Sequence, residues 1–272
     1  MLSAAFFVAL SAIRRNPLRS ILTTLGVVIG VASVIAMVTL GRGATASVTR
    51  DIASLGHNML IVLPGADRRL GSSASAQPFS WSDVQAMREG LTTIERVAPS
   101  VGGATRLVYG NRNWSTGITG ADNDYLRVRN WSIALGREFN EAELRSGAPV
   151  CILGETPRRQ LFGAGNPVGT ILRVGRFNCE VIGVLEPKGT STFGEDQDDF
   201  VLIPLLTFQR RIAGNDRIGA ILLSAKEGIS TRDAQLEVIA FLRERRGIGP
   251  GEEDDFVVRD LQEISQVVSA VT

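Results

Sequence analysis

The sequence predicts an α+β fold, in which one N-terminal transmembrane helix precedes a large folded domain on the far side of the membrane. Residues 21–40 form an uncharged run of twenty, long enough at 1.5 Å per residue to cross a hydrocarbon core of about 30 Å. From residue 58 the helical spacing of apolar residues gives way to short strand-like runs. Two strand–helix–strand units, one near each end of the domain, open their helices with similar capping sequences.

The charge distribution divides the chain into a basic N-terminal part and a mildly acidic remainder. Of 272 residues, 29 are Lys or Arg and 28 are Asp or Glu, yet residues 1–50 contain five arginines and no acidic side chain. The other 222 residues therefore hold 24 basic and 28 acidic side chains. Domains that bind nucleic acid usually carry a basic excess, so this balance argues against nucleic acid as a partner.

The apolar run has the flanks of a retained membrane helix. Asn16 is a suitable N-cap, and Pro17 suits the first helical turn, where its missing N–H costs nothing. Arg14, Arg15 and Arg19 lie at this end, so the positive-inside rule places the N-terminus in the cytoplasm.

A cleaved signal peptide is the alternative to a retained anchor. Residues 44–46 (Ala-Thr-Ala) resemble an A-x-A cleavage site. The apolar run of twenty residues exceeds the roughly 7–15 residues of a signal-peptide core, which favours the anchor.

One face of the apolar run consists of small residues. Gly26 and Gly30 form a GxxxG pair, and Ser33 continues the same face. Faces of this kind let two helix backbones approach closely, which predicts that these residues pack against a partner helix within the membrane lipid. Helical spacing continues to residue 55, and Gly56 is a plausible stop, so the helix is expected to rise from the bilayer as a stalk.

Two matching units are expected beyond the stalk, with their helices on one face of a sheet. The first comprises the strand MLIVLPG, a helix opened by residues 80–83 (SWSD), and the strands IERVAPSV and ATRLVYG. The second comprises the strand GAILLSA, a helix opened by residues 230–233 (STRD), and the strand DFVVRD. The stretch between the units reads as an inserted, mostly-β subdomain.

The predicted organisation has five parts. They are an amphipathic helix on the cytoplasmic face (1–16), the transmembrane helix and stalk (17–56), the α+β domain (57–120 and 217–260), the inserted subdomain (121–216) and the start of a helix leading towards a second membrane helix (261–272).

Two cysteines and one acidic run are the remaining candidates for chemistry. Cys151 and Cys179 lie in strand-like runs and are expected in the core, although a disulfide is possible outside the cytoplasm. The acidic run of residues 195–199 is interpreted as a solvated turn, with a hard-cation site as the alternative. With one histidine, no phosphate loop and no nucleophile elbow, the sequence predicts neither a metal site nor an enzyme.

The order of segments resembles the MacB-type, also called FtsX-like, ABC transporter permeases. The resemblance is carried by NPLRSILTTLGVVIGVASVIAMVTLGRGA, LGHNMLIVLPG, IALGREFNEAE, ILGETPRRQLFGAGNPVGTILRVGRFNCEVIGVLEPKG and DDFVLIP, in that order. It extends over essentially the whole chain, and its specificity comes from order and spacing more than from any single motif.

The resemblance implies a permease subunit of the bacterial inner membrane, with a porter-like α+β domain in the periplasm. Family members have four membrane helices and work as dimers, transmitting ATP-driven motion to the outer domains for export or efflux. Because this sequence lacks an ATPase domain, the resemblance implies a separate ABC ATPase subunit that holds ATP and Mg²⁺, a second permease subunit and, in some members, a periplasmic adaptor and an outer-membrane channel. No cofactor is expected in this chain.

The sequence departs from that pattern by ending before the second membrane helix. We therefore expect a fragment of a longer permease or a truncated gene product. The alternative is a single-pass, membrane-anchored periplasmic adaptor or sensor domain.

Overall fold

The computed structural model describes residues 17–55, 58–65, 77–191 and 195–260, as two compact units, Met1–Thr49 and Arg50–Thr272. The predicted helices in residues 1–16 and 261–272 therefore lie outside the described residues, as does His57.

A single helix, α1 (Pro17–Leu55), contains the predicted membrane span. Its stretch Ile21–Thr39 is long and apolar enough to cross a membrane, and the side chains along it are exposed. The hydroxyls of Ser33 and Thr39 each donate to the carbonyl four residues earlier, at 2.8 and 2.7 Å. These two polar groups are thereby satisfied within the helix, as an apolar surrounding requires.

The second unit contains ten strands and six α-helices among its described residues. In chain order they are β1 (Met59–Pro64), α2 (Trp81–Gly90), β2 (Ile94–Tyr109), β3 (Arg112–Ala121), α3 (Asn123–Val128), β4 (Ile133–Gly136), α4 (Glu141–Ser146), β5 (Val150–Leu153), α5 (Glu155–Phe162), β6 (Ile171–Val174), β7 (Phe177–Leu185), β8 (Phe200–Pro204), α6 (Leu205–Phe208) with a π-helical turn (Gln209–Ala213), β9 (Ala220–Ala225), α7 (Thr231–Arg246) and β10 (Phe256–Asp260).

The first and last parts of this unit form a ferredoxin-like layer. Its strands follow the order β10-β1-β9-β2, and all neighbours are antiparallel. Because β9 lies between β1 and β2, and β1 lies between β9 and β10, the two strand–helix–strand units interleave, which is the split βαβ arrangement.

Both helices of this layer pack on the same face of the sheet, as the sequence predicts. Met87 of α2 and Val238 of α7 are fully buried against Leu60 and Leu223. The predicted capping box of α2 is present: the Asp83 carboxylate accepts hydrogen bonds from the Ser80 backbone N–H and hydroxyl, both at 2.9 Å. Ser230 is the N-cap of α7, but its side chain makes no capping hydrogen bond.

The insertion continues the same sheet and covers its other face. Its strands extend the order as β2-β3-β8-β5-β7-β4, with β6 bridging β2 and β7. Tyr125 and Leu126 of α3 pack against Ala98 and Leu222, which alternate with the residues that face α2 and α7. One sheet runs through both parts, so the sheet itself marks no boundary at residue 121 or residue 216. These two predicted boundaries stay a prediction.

Three local predictions differ from the structure. The segments IERVAPSV and ATRLVYG are one continuous strand, because Gly102 and Gly103 stay in register with β3 opposite Thr119 and Ile118. The sequence analysis did not predict helix α3 or strand β4. Helix α5 is capped by Gly154, whereas Thr156 followed by Pro157 would suggest an N-cap and first-turn pair two residues later.

Candidate functional site

A cleft of about 670 Å³ lies where the ferredoxin-like layer meets the insertion. Helix α2 contributes Trp81 and Arg88, and the start of α3 contributes two aspartates. Helices α4 and α6 and the π-helical turn complete the lining with apolar and polar side chains. A relative movement of the two parts of the domain would therefore change the shape of this cleft.

Arg88 connects the two sides of the cleft. Its Nη2 atom lies 2.7 Å from a carboxylate oxygen of Asp122 and 3.2 Å from one of Asp124. The same nitrogen donates to the carbonyl of Val97 at 2.8 Å, and the guanidinium lies 5.5 Å from the ring centre of Trp81. One side chain of α2 thus holds the N-terminal end of α3 against the edge of β2.

Burial raises the pKa of the Asp122 carboxyl to about 6. The attraction of Arg88 lowers it by less than burial raises it, and the neighbouring charge of Asp124 raises it further. Because folding raises this pKa, the folded state favours the protonated form of Asp122. The free energy of unfolding therefore falls as pH rises from about 3.8 to about 6. The wall of the cleft would therefore favour additional positive charge.

A group of exposed arginines lies near the tips of two hairpins. Arg106 and Arg112 belong to the β2–β3 hairpin, and Arg173 and Arg176 to the β6–β7 hairpin. The hairpins touch, since Val108 pairs with Arg173 in a β-ladder. None of these four arginines forms an ion pair within the part of the chain that the structure describes. We call these four residues the arginine surface; the overall composition, with nearly equal numbers of basic and acidic residues, does not reveal it.

The acidic run is not a solvated turn, as the sequence suggested, but a structural junction. Asp198 is buried and accepts hydrogen bonds from the backbone N–H groups of Lys188 and Gly189, at 2.8 and 2.9 Å. Asp199 accepts from Trp114 and Thr116 of β3 at 2.8 and 2.7 Å. These carboxylates tie β8 to its neighbours, and in the described part of the chain no three potential ligands cluster as a metal site.

The two cysteines are neighbours in the core. Both are fully buried free thiols, on the adjacent strands β5 and β7. Burial, together with a hydrogen bond to Cys151, raises the pKa of the Cys179 thiol. This arrangement corresponds to the interpretation as core residues; the alternative disulfide between Cys151 and Cys179 is not formed in this structure.

The small-residue face of α1 is open. A Cβ atom added at Gly26 or Gly30 would meet no atom within 4 Å. Ser33 is likewise exposed, so none of the residues that the structure describes occupies the face. Its packing against a partner helix stays a prediction. Arg14, Arg15 and the side chain of Arg19 lie outside the described residues.

The sequence analysis missed the cleft, although one signal pointed to it. Residues 122–124 (Asp-Asn-Asp) directly follow β3, and Asp122 caps α3 by accepting from the Asp124 N–H at 3.1 Å. An aspartate at the end of a strand is a common N-cap. Its ionic partner on α2 lies 34 residues earlier, which no local pattern reveals.

Comparison with known proteins identifies relatives along nearly the whole chain. The model of the family described as "MacB-like periplasmic core domain" matches residues 20–241. The "Macrolide export ATP-binding/permease protein MacB" of Chlorobium luteolum is 34% identical over 267 residues, covering 97% of this chain and 40% of the relative. The protein of the same description from Chlorobaculum tepidum is 36% identical, covering 97% and 41%. The chain thus spans about two fifths of the length of these curated relatives.

Solved structures share the fold of the second unit. The periplasmic region of MacB from Actinobacillus actinomycetemcomitans superposes with a TM-score of 0.67 at 22% identity, covering 83% of this chain and 99% of that one. The extracellular domain of the ABC-type transporter YknZ from Gram-positive bacteria gives a TM-score of 0.59 at 18% identity, covering 75% and 100%.

Proposed function

Because the chain belongs to the family of MacB-like periplasmic core domains, we propose that it is the N-terminal portion of an ABC transporter permease. In this proposal a separate ATPase subunit, which holds ATP and Mg²⁺, drives a conformational change of the outer domain for export or efflux. The family match supports the proposal, as does the description of the relatives as macrolide export ATP-binding/permease proteins.

The observation that carries it is the position of the two ends of the domain. Strand β1 follows helix α1, and its residue Leu60 pairs with Asp260, the last residue of β10. The chain therefore enters and leaves the domain side by side. A domain inserted between two consecutive membrane helices needs this geometry.

The connection between helix and sheet is short enough to transmit force. Only residues 56–58 separate the end of α1 at Leu55 from the start of β1 at Met59. β1 is an interior strand, hydrogen-bonded to β9 on one side and β10 on the other. A displacement of α1 would thus act on the middle of the ferredoxin-like layer.

The proposed topology and partners follow from charge. Under the positive-inside rule, Arg14, Arg15 and Arg19 favour an N-terminus in the cytoplasm and the domain in the periplasm. Along β2, the arginine surface lies about 30–40 Å beyond the level of Leu60 at ~3.3 Å per residue. An acidic face of a periplasmic adaptor, itself leading to an outer-membrane channel, would be complementary to it. Changing Arg106 and Arg173 to Glu should then abolish copurification of the adaptor with the permease. Arg232→Glu on α7 should leave copurification of the adaptor unchanged.

An insertion at the helix–sheet connection tests the coupling. The permease would be assembled with its ATPase in lipid nanodiscs, with a spin label at Ser115→Cys on the exposed side of β3; the native cysteines are buried. We expect ATP to change the distance between the two labels of the dimer. Six Gly/Ser residues inserted between 56 and 57 should remove most of this change, because a flexible linker transmits little force.

The matched control is the same insertion in the β2–β3 turn between Gly110 and Asn111. It should leave the ATP-dependent distance change intact. An insertion at 56–57 that leaves the full change in place would contradict coupling through α1.

A further inference from the structure

The ionic groups of the cleft leave one negative charge without a partner. Each arginine that lines the cleft already faces a carboxylate: Arg88 faces Asp122, Arg127 lies 3.0 Å from Glu138, and Arg145 lies 3.8 Å from Glu141. Asp216 also lines the cleft, and it forms no ion pair with any cation in the described ranges.

A neutral acceptor in the same lining is also unused. The side-chain amide of Asn123 donates to the carbonyl of Phe139 at 2.8 Å. Its Oδ1 atom is buried and finds no hydrogen-bond donor among the residues described. A buried acceptor without a partner costs free energy, and the partial negative charge of this oxygen adds to the negative potential beside the cleft.

The remaining lining is apolar and partly open. The Trp81 side chain is 45% exposed although it belongs to the rim of the cleft. Leu144, Leu205 and Leu206 add aliphatic surface. A volume near 670 Å³ is that of a site for a small organic molecule, which in proteins occupies roughly 300–1,000 Å³.

We propose that this cleft binds an amphipathic amine. The ammonium group pairs with Asp216, and the apolar part of the molecule packs on Trp81 and the leucines. A single positive charge completes the charge balance of the lining. An anionic ligand would meet an excess of carboxylates.

Such a ligand would touch both parts of the domain at once. Trp81 belongs to the ferredoxin-like layer, whereas Asn123 and Asp216 belong to the stretch inserted between β2 and β9. Binding would hold the two parts in one arrangement. The site stands on the chemistry of the cleft alone, so its failure would leave the proposed permease function untouched.

Binding of dansylcadaverine, an aromatic primary amine, tests this site in the full chain held in lipid nanodiscs. Fluorescence anisotropy should show saturable binding, and the N-acetylated form of the same probe, which lacks the charge, should bind at least about fivefold more weakly. Asp216→Asn should remove this preference for the charged probe. Asp233→Asn, which neutralises an exposed carboxylate on α7, should retain it.

Trp81→Ala separates the apolar contact from the ionic one. It should weaken both probes by a similar factor, because the indole contacts the part that they share. Equal affinity for the charged and acetylated probes, an unchanged preference in Asp216→Asn, or absence of saturable binding would each overturn the proposal.

Discussion

Glu237 shows how a single side chain can join two distant parts of the fold. This residue of α7 accepts hydrogen bonds from the backbone N–H groups of Thr92 and Thr93, both at 2.9 Å, and from both hydroxyls. Burial opposes ionisation of Glu237, but the four hydrogen bonds outweigh it and lower the pKa to about 2. The carboxylate therefore secures α7 to the connection between α2 and β2.

Replacing Glu237 by Gln should lower stability at neutral pH. The ionised carboxylate stabilises the fold above its unfolded pKa, near 4.5, and this contribution is lost as pH falls from about 4.5 towards about 2. Allowing for solvent screening at this partly exposed site, we expect a cost of about 1 kcal/mol at pH 7. Thermal unfolding in detergent should show a midpoint lower by about 2–4 °C.

The control is Glu244→Gln, an exposed glutamate of the same helix without a side-chain hydrogen bond in the described structure. Its midpoint should match that of the unmodified protein. If the difference between Glu237→Gln and the unmodified protein is as large at pH 3 as at pH 7, the assigned ionic role of Glu237 is wrong.

Local contacts were predictable at the residue scale, and distant ones were not. The Ser80–Asp83 capping box spans three residues, so its geometry follows from the sequence. The partners of Asp199 come from β3, more than 80 residues earlier, and only the folded sheet brings them together. The acidic run was misread for this reason.

Gly154 illustrates how one element depends on close approach to another. It caps α5 and lies in ordinary extended backbone, so its role is not a positive φ angle. A Cβ atom added there would come within 2.1 Å of the carbonyl oxygen of Asp198. This contact is with backbone, in the junction that anchors β8, and cannot be relieved by turning a side chain.

Replacing Gly154 by Ala should therefore destabilise the domain by about 2 kcal/mol, a typical cost of overpacking. Thermal unfolding of the purified protein measures the effect. Gly102→Ala is the matched control, because the added atom would lie 3.9 Å from its nearest neighbour, the Ile118 carbonyl oxygen. Equal midpoints for both variants would show that the α5–β8 junction adapts without strain.

The membrane helix carries its own element-scale prediction. Gly30→Leu fills the open face formed by Gly26, Gly30 and Ser33, so recovery of the permease dimer in mild detergent should fall by roughly half or more. Val28→Leu, about 200° round the helix from Gly30, keeps that face open and should leave recovery unchanged. Full dimer recovery with Gly30→Leu would exclude this face from the interface.

Element types followed from hydrophobic period wherever the segment was long or strongly capped. The period predicted α1, α2, α7 and the strands of the ferredoxin-like layer. It divided β2 at Gly102 and Gly103, because glycine usually interrupts a strand, whereas pairing with β3 carries the ladder through both residues. It missed α3, whose six residues are too few to show a helical repeat.

At the scale of the whole molecule, three residues of sequence separate helix α1 from the interior strand β1, and the two ends of the domain lie together. The interleaved order of strands arises from pairings between residues about 160–200 positions apart, which a single sequence does not reveal. The resemblance to MacB-type permeases supplied what periodicity could not. This chain spans about two fifths of the length of these curated relatives, and the proposed function therefore needs parts that this chain does not contain.

The most direct test of the account is native mass spectrometry of the protein isolated in mild detergent from its own membranes. We predict a polypeptide heavier than 29.2 kDa, present in two copies and bound to an ABC ATPase. A single copy of 29.2 kDa without any ATPase would contradict the permease proposal and favour a membrane-anchored adaptor or sensor.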